Sequence, residues 1–80
     1  MKRKADHILD VIGSITSISL LKLIQTFREM KSNEVLEILG NNLDTRSDLF
    51  KVLPDDAYEL IFLDVVEEGE YFYRIQLKKS

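Results

Sequence analysis

The spacing of apolar positions switches repeatedly between the two-residue period of a strand and the 3.6-residue period of a helix. His7 to Ile12 (HILDVI) is rich in β-branched and apolar residues and stops at Gly13, which predicts a first strand. Leu9 and Val11 share one face of it, and Ile8, Asp10 and Ile12 the other. Leu20, Leu23, Ile24, Phe27 and Met30 then recur at helical spacing, separated by Lys22, Gln25, Arg28 and Glu29. This predicts an amphipathic helix that begins at Thr16 or Ser17, either of which can accept a hydrogen bond from a first-turn N–H. Lys31 complements the dipole at its end, and Ser32-Asn33 stops it.

Glu34 to Leu39 (EVLEIL) predicts a second strand, and Gly40-Asn41-Asn42 a turn, because Gly and Asn tolerate positive φ. Asn42 or Asp44 caps a short second helix, with Leu43, Leu49, Val52 and Leu53 as its apolar positions and Pro54 as its stop. Ala57 to Val66 predicts a third strand, Glu67-Glu68-Gly69-Glu70 an acidic turn, and Tyr71 to Lys78 a fourth strand. The order β-α-β-α-β-β, with right-handed crossovers, predicts a two-layer α/β sandwich with both helices on one face of a four-stranded mixed sheet.

Two helices cover only one side of such a sheet. On strict alternation the open side carries Ile8, Ile12, Val35, Leu39, Ile61, Leu63 and Phe72, interspersed with Asp10, Glu37, Glu59, Arg74 and Gln76. An apolar group of that size suggests a partner or homodimer surface, centred on Ile8, Ile61, Leu63 and Phe72. A one-residue slip in any strand would exchange its faces.

Composition narrows the chemistry. Eighty residues make one domain spanning 1–80, with residues 1–6 expected to be a flexible lead-in. The formal net charge is −3, which argues against nucleic acid as a partner; Lys2-Arg3-Lys4 is too short a basic run to change that. There is no cysteine, so neither a disulfide nor a thiolate nucleophile is available, and this fits a reducing cytoplasm. No apolar run is long enough to span a membrane, and no secretory leader is apparent. We expect no metal and no cofactor. Asp55-Asp56 and Glu67-Glu68 read as solvated turn acids, His7 as a structural or exposed residue, and Gly13 and Gly40 lack phosphate-loop spacing. Tyr71, Phe72 and Tyr73 with Arg74 suggest a base-stacking strand, but alternation sends two of the aromatics into the core. The Gly13 turn aims helix N–H groups outward, so a small anion near Thr16 is a further expectation.

The junction from Leu9 to Leu21 resembles the TusA (SirA-like) family of small sulfur carriers. In that family a strand ending Leu-Asp-x-x-Gly leads to Cys-Pro-x-Pro at the start of the first helix. Here Leu9-Asp10-Val11-Ile12-Gly13 matches the first part, and Thr16-Ser17-Ile18-Ser19 occupies the second. Thr45-Arg46-Ser47-Asp48 resembles, with one shift, the Thr-Arg-x-Asp segment that opens the family's second helix. The resemblance spans about His7 to Lys78 and implies a sheet of order 1-2-4-3.

It also implies candidate binding residues Asp10, Gly13, Thr16, Ser17, Ser19 and Arg46. The family's chemistry does not carry over with them. Its cysteine bears a persulfide, and sulfur exchange needs a thiolate that forms and breaks S–S bonds. Thr16 stands in that position, and neither proline is present. We therefore expect no catalytic residue, and a protein-binding or regulatory module whose partner is a protein of a sulfur-relay pathway. Two other readings stay open: sulfur transfer that uses a partner's cysteine, and a homo-oligomeric domain built on the open sheet face.

Overall fold

The computed structural model describes residues 4–65 and 73–80. Strand β1 (His7–Asp10) leads to helix α1 (Thr16–Glu29), strand β2 (Val35–Gly40), helix α2 (Leu43–Val52), a single 3-10 turn (Asp55–Ala57), strand β3 (Tyr58–Val65) and strand β4 (Tyr73–Lys79). The sheet runs β1-β2-β4-β3, with β1 parallel to β2 and the other two pairs antiparallel. Both helices lie on one face, forming a two-layer α/β sandwich. The acidic turn Glu67–Glu70 and the strand positions Tyr71 and Phe72 lie outside the described residues, as does most of the basic run at Lys2-Arg3-Lys4.

The covered face holds the core. Leu9 and Val11 from the β1 segment, Leu36 and Ile38 of β2, and Tyr73, Ile75 and Leu77 of β4 pack against Leu23, Phe27 and Met30 of the α1 segment and Leu49 and Leu53 of the α2 segment. Strand β3 adds only Tyr58, which is partly buried and sits 6.4 Å from the Phe50 ring between centroids. The two helices thus cover three strands and leave β3 at the margin.

Helix ends differ from the sequence expectation. Ile15, not Thr16 or Ser17, is the N-cap of α1, and it makes no side-chain cap bond. At the other end Lys79, not Lys31, meets the terminal carbonyls. Its ammonium donates to the carbonyls of Phe27 at 2.7 Å and Met30 at 2.8 Å, a favourable placement for a cation at a helix C-terminus. Asn33 takes a positive φ of 73° after the helix, and its N–H donates to the Lys79 carbonyl at 2.7 Å.

The open face differs more. Ile8, Glu37, Gln76 and Phe62 line up across the four strands in one row, so a polar pair separates the apolar flanks. Gln76 donates to the Glu37 carboxylate at 2.9 Å, and Arg74 reaches the same carboxylate at 4.0 Å. Both Glu37 and Gln76 are buried although they lie on the face opposite the helices. Val35, expected on this face, is also buried. The face is therefore not a continuous apolar patch.

Leu63 is a direct correction. The ladder shifts by one residue between Leu60 and Phe62, a bulge at Ile61. Beyond it, Phe62 pairs with Gln76 and Leu63 with Ile75, which puts Leu63 on the helix side. Strict alternation could not register an inserted residue.

Candidate functional site

The carboxyl ends of β1 and β2 meet the first turns of both helices, where open α/β folds commonly place their ligands. Local chemistry builds this junction. The Asp10 carboxylate accepts the Ile12 N–H at 2.9 Å, closing a side-chain turn just past β1. Gly13 follows at φ 75°, a left-handed conformation that glycine adopts without steric cost. Its N–H donates to the Asn41 side-chain oxygen at 3.3 Å, tying the first turn to the end of β2.

Thr16 opens α1, and its hydroxyl shares a hydrogen bond of 2.9 Å with the hydroxyl of Thr45 in the first turn of α2. Thr45 is buried, and its N–H donates to the Asn42 side chain at 3.3 Å, so Asn42 is the α2 cap. Ser19 is fully buried, and its hydroxyl donates to the Ile15 carbonyl at 3.1 Å. Ser17 is exposed on the outer side of the same turn. Arg46 follows Thr45, and its N–H donates to the Asn42 carbonyl at 3.1 Å.

Tyr73 lies beneath the junction. Its phenol crosses Gly40, and a Cβ at that position would collide with the ring and hydroxyl. The hydroxyl is buried with no hydrogen-bond partner among the described residues. Burial pushes its pKa up from the ordinary phenol value, against the opposing pull of the Arg46 charge. The sequence placed Thr45 only in the segment that opens α2 and Tyr73 only among the strand aromatics, and it did not join either of them to Thr16 or Gly40. The signal was present: a glycine register-matched to a tyrosine on the neighbouring strand, and a second threonine at the head of α2.

Asp10, Gly13, Thr16, Ser19 and Arg46 are thus all placed at one junction, with Ser17 on its rim. Ile8 and Ile61 belong to the two edge strands instead, with Ile8 exposed and Ile61 half-buried. Phe72 lies outside the described residues. His7 bonds across the strand starts, its Nε2 lying 3.2 Å from a Glu34 oxygen that also accepts the Lys31 N–H at 2.6 Å. The Lys31 N–H first, and then His7, hold the Glu34 carboxyl below the usual carboxylate range. At the far end of α1 from Thr16, an open apolar groove of about 350 Å³ lies among Ile24, Phe27, Arg28, Val52, Leu53, Pro54 and Ala57.

Among the described residues, no base lies against Thr16 to activate it as a nucleophile. Its hydroxyl faces another hydroxyl, and general-base activation of a threonine needs a base within hydrogen-bond reach. Among the described residues no three of His, Asp and Glu gather as a metal site, and no helix is long and apolar enough to cross a membrane. No family model matches the chain, and no curated protein matches it in sequence.

Proposed function

We propose that this small cysteine-less α/β domain is a non-catalytic protein-binding or regulatory module. In this reading it is a divergent relative of the TusA-like sulfur carriers that retains their architecture and works in the cytoplasm beside a sulfur-relay protein. The observation that carries the non-catalytic part is the Thr16–Thr45 hydroxyl pair of 2.9 Å. Where the family holds its sulfur-bearing thiol, this chain joins its two helices. The Leu9-to-Gly13 pattern and the strand order 1-2-4-3 support the relationship to that family.

The test separates binding from transfer. The chain is incubated with a cysteine desulfurase and cysteine, desalted, and assayed for sulfane sulfur by cyanolysis. The parent chain is expected to carry none. Thr16→Cys, which supplies the thiolate that sulfur exchange needs, is expected to become loaded. Transferable sulfur on the parent would contradict the non-catalytic reading. A folded Thr16→Cys that stays unloaded would argue against the family relationship.

A further inference from the structure

We infer that the outer edge of β3 is a docking surface for an extended, basic polypeptide segment that adds to the sheet as a further strand. Strands β1 and β3 are the two edges of the sheet. An edge exposes unpaired backbone N–H and C=O groups, and proteins blunt it by shortness, by lysine or proline, by bulges, or by covering it. Strand β1 is blunted by its length of four residues. Strand β3 runs for eight residues and contains neither lysine nor proline. Among the described residues its blunting devices are the bulge at Ile61 and the acidic side chains of Glu59 and Asp64.

Both the apolar surface and the charge of this edge point to a partner. Leu60, Leu63 and Val65 pair with Leu77, Ile75 and Tyr73, whose side chains are core, so all three face the helix side. They are nevertheless 46 %, 39 % and 47 % exposed, whereas the helix layer meets β3 at its start, where Phe50 lies beside Tyr58. On the opposite face stand Glu59 and Asp64. Glu59 pairs with Lys78 at 3.1 Å, yet its side chain keeps 62 % of its exposure; Asp64 is exposed opposite Arg74. The surrounding sequence is one-sided. Half of the chain's 14 acidic residues fall within 55–70, and none of its 11 basic residues does.

These charges select the occupant. A second copy pairing antiparallel about the centre of β3 would set Glu59 against Asp64. Pairing parallel and in register would set each acid on its own copy. Like charges directly opposite are destabilising in a sheet. Nucleic acid would meet the same repulsion. A segment alternating apolar and basic residues meets neither: its apolar side chains cover Leu60, Leu63 and Val65, its lysines or arginines face Glu59 and Asp64, and its main chain takes up the free edge. This surface is formed by β3 rather than the Thr16 junction, so it stands or falls independently of the proposal made there.

The experiment is an NMR titration of the isotope-labelled full chain with a blocked peptide alternating valine and lysine. Controls are the same peptide with glutamate for lysine, and one N-methylated at alternate residues to remove strand pairing. The expected result is shifted and exchange-protected amides confined to β3 with the lysine peptide, and no response to either control. Asp64→Lys should weaken the binding by about tenfold at low salt, with Leu63→Ser as a second, uncharged probe of the same edge. Unchanged β3 amides at millimolar lysine peptide would overturn the inference. So would an equal response to the glutamate peptide, or a dimer that protects β3 in the absence of peptide.

Discussion

The junction at Thr16 and the edge at β3 treat their polar groups in opposite ways. At the junction the chain answers its own groups: Asp10 takes the Ile12 N–H, Asn41 the Gly13 N–H, and Thr16 meets Thr45. At the edge the backbone of β3 has no outer neighbour among the described strands, and three large apolar side chains remain exposed. The lesson is that position in a fold does not decide where recognition happens. The carboxyl ends of parallel strands are a favoured place for chemistry, yet here the groups at that end mainly hold the molecule together. The strand left over after two helices have covered three is the part with unused capacity.

Substitutions should separate the two regions by size. The largest effect belongs under the junction. Gly40→Ala drives a methyl into the Tyr73 phenol, and overpacking of this kind costs about 1–3 kcal/mol, which chemical denaturation would measure. Tyr73→Phe should act in the other direction. It deletes a buried hydroxyl without a partner among the described residues, so stability should be unchanged or higher by about 1 kcal/mol. The same variant should also lose less stability in alkali. Burial raises the Tyr73 pKa in the folded state, so its contribution is fully present below the ordinary phenol value of 10.0. That contribution is lost as pH rises through the folded value, because the unfolded chain ionises first. A thermal unfolding series from neutral pH upward would show a shallower fall for Tyr73→Phe than for the parent. The smallest effect belongs at the edge. Leu63→Val should change stability by no more than about 0.5 kcal/mol, since the side chain is already 39 % exposed and valine suits a strand. A large loss there would mean that β3 is part of the core after all.

The element order was legible in the sequence because short β-branched and apolar runs and the helical repeats are separated by Gly, Asn or Pro. The strand order followed from the family resemblance, and the ladders bear it out. What was not legible depended on partners distant in sequence. The α1 cap was misplaced because a threonine at a helix start reads as a cap, whereas this hydroxyl is directed to a residue 29 positions away. The open face read as an apolar patch because alternation alone cannot reveal that Gln76 donates to the Glu37 carboxylate from the next strand, with Arg74 approaching the same carboxylate. Leu63 changed face because a bulge adds one residue without leaving a mark in the pattern.

The central claim is that Thr16 serves structure rather than chemistry. A double-mutant cycle of Thr16→Val and Thr45→Val, read by denaturant unfolding, tests it most directly. If the two hydroxyls form a working tie between α1 and α2, the cycle gives a coupling of about 0.5–1.5 kcal/mol, and each single variant is less stable than the parent. A coupling of zero, with both single variants as stable as the parent, would mean that Thr16 holds nothing together, and would contradict the account.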